Sequence, residues 1–249
     1  MTNYKKMIDA LEKTSEIEKR ATTLLLDVKT EFEEAERQIK SDTRLSGEGK
    51  IEEIQRAKLQ YGEKFLREAK KMREEFDKAA ISAKVGAELV LNESHEKPAS
   101  DTVIKTFERE FNDIKTKLLF TSPGECIEQI TQFIEKQDNP YFAKIIKDQF
   151  ASMVSDLLTS SGDERPELAI KVKKLYEDIS NKALSDEQKK AAELSPHLDA
   201  RYGADIFNNH IHKDTLVYLF DREIASFANR PDQYEFKLDE RQDEPLQIG

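Results

Sequence analysis

The chain has 249 residues, of which 37% are hydrophobic and 36% charged, and 40 basic residues stand against 50 acidic ones for a net charge of −10. So acidic a balance argues against binding phosphate backbones through bulk charge. A single cysteine, Cys126, rules out an intrachain disulfide, and no run reaches the ~18 apolar residues of a membrane-spanning helix.

Glycine and proline are scarce, at 8 and 7, which favours long helices. The first 93 residues read as two amphipathic arms folded into an antiparallel coiled-coil hairpin. The first arm carries Tyr4, Met7, Leu11, Ile17, Ala21, Leu24, Val28, Phe32, Ala35 and Ile39, mostly three or four apart, so they share one helix face; the stripe weakens near Thr14. The polar run 41–49, with Gly47 and Gly49, is expected to stop the helix and turn the chain. The second arm is expected from about Lys50, with Ile51, Ile54, Ala57, Tyr61, Phe65, Leu66, Ala69, Met72, Phe76, Ala80, Ala83, Ala87 and Val90 on its stripe. At ~1.5 Å per residue, arms of about 37 and 43 residues run roughly 55–65 Å.

A lone helix of this kind is marginal and needs a partner for its stripe. Many stripe positions are alanine, so two arms alone make a thin core. Gly62 and Gly86 lie inside the second arm. They are either tolerated, at ~1 kcal/mol each against alanine, or mark a close crossing with another helix. Charges of both signs alternate on the outer faces, and nearly all of the net charge falls beyond residue 93. The basic cluster Lys70, Lys71 and Arg73 is ringed by acidic residues, a poor nucleic-acid footprint.

Residues 94–100 read as a polar linker, and 101–228 as a helical globular domain of six or seven helices. Ser100 is the expected cap for a helix carrying Val103, Ile104, Phe107, Phe111, Ile114 and Leu118. Ser122-Pro123-Gly124-Glu125 is a capping box before Cys126, Ile127, Ile130 and Phe133. Asn139-Pro140 opens the strongest core helix, through Phe142, Ile146, Phe150 and Leu157. Pro166 opens another, and Ser185-Asp186-Glu187-Gln188 caps a short one ending near Pro196. Ile206, Phe207 and Ile211, then Leu216 to Phe227, suit two helices joined near Lys213-Asp214; a strand over 216–220 is the alternative. Residues 229–249 read as an extended acidic tail in which Tyr234 and Phe236 dock on something. The fold class is thus all-α.

Chemistry is sparse. His210 and His212, with Asp214 or Asp205, form the one metal-like cluster, but two histidines two apart point away from each other on a helix. Cys126 falls on an apolar face, as a buried thiol does. No phosphate-binding or dinucleotide-binding glycine pattern occurs. These features point to a non-enzymatic assembly or adaptor protein that uses no cofactor or metal. It would act through protein contacts of the hairpin, as a homo-oligomer or on a protein partner, without binding nucleic acid or membrane. The expected contact residues are Leu24, Val28, Phe32, Tyr61, Gly62, Phe65, Met72, Phe76, Gly86, Tyr234 and Phe236. An acidic inhibitor or decoy for a basic surface is the alternative, and a metal-dependent hydrolase around His210 and His212 a second. With no signal-peptide pattern at its start, the chain is expected in the cytoplasm. In general style, Lys/Glu-rich with a coiled-coil arm and no tryptophan, it resembles accessory and structural proteins of bacterial viruses and mobile elements. That resemblance implies a host-cytoplasm or virion setting.

Overall fold

The computed structural model describes residues 1–160, 165–208 and 210–238. The described residues are all-α: helices and turns, with no strand among them. Helix α1 (Asn3–Ser41) and helix α2 (Gly47–Leu91) form the expected hairpin. The turn is tighter than the glycines suggested. Asp42 accepts bonds from the Arg44 backbone N–H at 2.8 Å and from the Arg44 guanidinium, which hold its carboxyl at about 2. Ser46 Oγ then accepts from the Gly49 N–H at 3.1 Å, so both glycines lie in the first turn of α2 rather than ending α1.

Helices α3 (Asp101–Leu118), α4 (Pro123–Glu135), α5 (Pro140–Ser160) and α6 (Arg165–Lys182) follow. The Glu125 carboxylate accepts from the Ser122 N–H and Oγ, which starts α4 where its capping box predicts. Asn139 Oδ1 accepts from the Tyr141 N–H and starts α5. Ser100 holds the cap position of α3, yet its side chain makes no capping bond.

Helix α7 (Asp186–Arg201) begins at the reciprocal Ser185–Gln188 box, as expected, but runs through Pro196 instead of ending there. It stops at Gly203, whose φ of 77° suits the left-handed position after a helix. Helix α8 (His210–Leu219) spans the expected junction at 213–214 and takes up most of the alternative strand. Ile206 and Phe207, expected to be helical, lie in a loop instead. The Asn229 side chain accepts from the Phe207 N–H at 2.8 Å and donates to its carbonyl at 3.2 Å, so an amide side chain supplies what a helix would have supplied. Helix α9 (Arg222–Ser226) is capped by Asp221, and a 3-10 turn covers Pro231–Gln233.

The chain divides into two compact units, and the division is not the one expected. Unit 1 is Met1–Gly86 with Ser195–Gly249; unit 2 is Ala87–Leu194. A globule over 101–228 is therefore replaced by one that excludes α8 and α9. The 94–100 segment is no inter-domain linker: it lies inside unit 2, where His95 donates to the Ala183 carbonyl at 2.7 Å. The Gln188 amide also bonds the carbonyls of Leu91 and Glu93.

In unit 1 the hairpin seam continues into α8, α9 and the 231–238 segment as one core. Phe65 is its centre, with Phe207 at 5.1 Å and Phe220 at 5.7 Å between ring centroids. The thin two-helix core inferred from the alanines is thus completed by residues 206–236 of the same chain. Unit 2 has its own core, built on stacked Phe107, Phe111, Phe133 and Phe142.

Candidate interaction surfaces

The expected contact residues are mostly engaged within unit 1. Val28, Phe32, Phe65, Met72 and Phe76 are buried in its core, and Tyr61 packs edge-on to Phe32 at 6.0 Å. Leu24 and Phe236 are partly buried against the same core. Gly62 faces Ile224 and Phe220, and Gly86 faces the backbone of Met7. Both glycines therefore mark close crossings, with helices of this chain. The weak place in the α1 stripe has a reason as well. Buried Thr14 accepts from Arg201 Nε at 3.1 Å, while the same guanidinium reaches Ser15 at 3.2 Å and Glu18 at 2.8 Å.

Glu63 organises the docking of the C-terminal segment. By helical spacing it falls on the face of α2 away from the apolar stripe, yet it is 0% exposed. Its Oε1 accepts from Tyr234 Oη at 3.0 Å and from the Lys237 N–H at 2.7 Å; its Oε2 accepts from the Leu238 N–H at 3.0 Å. Arg67, one turn on, lies 3.5 Å from Glu63, donates to the Leu238 carbonyl at 2.6 Å and stacks over the Phe236 ring at 4.4 Å. A buried carboxylate needs such partners. Burial and the Glu63 carboxylate together push the Tyr234 phenol well above its ordinary value, so it stays a donor. The alternation of Tyr234 and Phe236 forecast a docking tail. It gave no sign of Glu63, which looks like any other helix glutamate.

His212 is buried against α1, where its Nε2 lies 3.0 Å from Thr22 Oγ1 and its ring is edge-on to Phe207. Burial lowers its basicity. The His210 side chain lies outside the described residues, and no group of three or more His, Cys, Asp or Glu side chains fit to hold a metal occurs among the described ones. Cys126 is buried, as its apolar face suggested.

Among the described residues, two exposed features bear on function. Along α2, Ile81, Val85 and Leu89 are 49%, 47% and 49% exposed and fall four residues apart, on the side away from buried Ala83, Ala87 and Val90. This second row was legible in the sequence as a stripe offset from the main one, but the main stripe hid it. In unit 2, a cleft of about 740 Å³ opens between α3, α4 and α5, bordered by Lys115, Leu119, Cys126, Met153 and Leu157.

No helix among the described residues is long and apolar enough to cross a membrane. No protein-family model, curated protein or solved structure matches this chain.

Proposed function

We propose that the protein is a non-enzymatic assembly protein that pairs through the outer face of α2, with a second copy of itself as its first partner. The observation that carries this reading is the row Ile81, Val85 and Leu89. Single exposed apolar residues are ordinary, but three in register along one helix make a continuous apolar edge. The row is symmetric about Val85. An antiparallel two-fold pairing would set Ile81 of one copy against Leu89 of the other, with Val85 on the axis. Such a self-complementary patch is what a closed dimer requires. The reading shifts contact away from the hairpin seam, whose large side chains already lie in the core of unit 1.

Light scattering on the full chain over a range of concentrations tests it. A dimer is expected for the wild type and a monomer for Val85→Glu. Because Val85 is half-exposed, the variant should keep its folding stability within about 0.5 kcal/mol. A wild-type monomer at every concentration, or a Val85→Glu dimer, would overturn the reading.

A further inference from the structure

We propose that the cleft between α3, α4 and α5 in unit 2 binds a small amphipathic carboxylate, an acyl-chain acid whose head pairs with Lys115. Its volume of about 740 Å³ falls in the range of small-molecule sites. Its wall has two characters. Met153, Leu157 and Cys126 are buried apolar side chains at the cleft, and Leu119, 72% exposed, extends that apolar surface to the rim. Lys115 supplies the charge. Its Nζ donates to Gln149 Oε1 at 3.1 Å and lies 4.6 Å over the Phe111 ring. Both contacts are with uncharged groups, which orient the ammonium without neutralising it. An anion complements it.

The cleft's chemistry narrows the class of anion. A phosphate or sulfate calls for several converging N–H donors. Among the described lining residues one cation stands among neutral dipoles, of which Asn112, Thr116 and Ser152 border the cleft, beside an apolar surface of about equal extent. That pairing suits one charge on a long apolar body. Cys126 contributes as a small apolar surface and not as a nucleophile: its thiol donates toward the carbonyls of Leu118 and Thr121 at 3.6 and 3.5 Å, and burial holds it protonated. Leu119 gives the site its driving force, since an exposed leucine at the rim gains burial when an alkyl chain lies against it.

Cys126 is the only cysteine in the chain, and because its thiol is buried, the rate of its alkylation by a maleimide reports on opening of the cleft that it borders. The experiment follows that rate on the full chain with dodecanoate below its micelle concentration, and with dodecanol as the uncharged control. Calorimetric titration of the same two compounds reads binding independently of the thiol. Dodecanoate is expected to bind and slow labelling, with dodecanol about tenfold weaker, since it lacks the charge-assisted bond. Lys115→Gln should weaken dodecanoate by a similar factor, and Lys115→Arg, which keeps the charge, should retain binding. The proposal is overturned if calorimetry detects no dodecanoate binding or if dodecanol binds equally well. It is equally overturned if Lys115→Gln binds dodecanoate as the wild type does or if Lys115→Arg, folded, does not bind it.

Discussion

Replacing Glu63 by alanine would leave the Lys237 and Leu238 N–H groups, the Tyr234 hydroxyl and the Arg67 guanidinium without their shared acceptor. The expected cost is about 3 kcal/mol, the scale for removing one partner from a buried charged hydrogen-bond set. Denaturant melts should show that loss, and amide exchange at Lys237 and Leu238 should quicken by more than exchange along α1. His212 carries a second prediction. Its ordinary value of 6.5 is lowered by burial, so the folded chain resists a proton that the unfolded chain accepts. Its contribution is complete above pH 6.5 and is lost as the pH falls through the lowered value. Melting midpoints between pH 7.5 and 5 should therefore decline with acid, and the decline should flatten in His212→Gln, whose amide can still meet Thr22.

Helix against helix, the two interior glycines separate cleanly. A Cβ at Gly86 would lie 3.0 Å from both Cα and Cβ of Met7, so α1 itself would have to move. Gly86→Ala is expected to destabilise by about 1–2 kcal/mol even though alanine favours the helix by ~1 kcal/mol. At Gly62 the nearest atom is the Cδ1 tip of Ile224, at 2.5 Å. A side-chain tip can rotate away, so Gly62→Ala should stay within about 1 kcal/mol of the wild type. Chemical melts of the two variants side by side check the order. The elements themselves were largely legible. Two long stripes gave the hairpin, and Ser122, Asn139 and Ser185 gave helix starts because capping is a matter of three or four neighbouring residues. Phe207 and Glu63 were not legible. Each owes its state to a partner far along the chain, Asn229 for one and the 234–238 segment for the other, and local periodicity carries no record of such a partner.

At the scale of the molecule, the same limit explains the division into units. The polar run at 94–100 has the composition of a boundary, yet His95 ties it into unit 2. The actual boundaries fall inside α2 and α7, where composition does not change. The two cores differ in how much contiguous chain they need. Unit 2 closes its phenylalanine stack from 87–194 alone, while Phe65 in unit 1 depends on Phe207 and Phe220. An 87–194 fragment should melt cooperatively by circular dichroism. A 1–86 fragment should be helical at best without a cooperative transition, and adding a 195–238 peptide should restore one.

Because unit 1 is built from residues that precede unit 2 in the sequence and residues that follow it, its order of synthesis matters. The hairpin leaves the ribosome with Phe65 lacking Phe207 and Phe220, which follow roughly 150 positions later. At about 5–20 residues per second, that interval lasts on the order of 10–30 s. Throughout it, neighbouring nascent chains on one message present matching sticky hairpins, so translation speed and chaperone supply, more than final stability, would govern the yield of correctly closed protein.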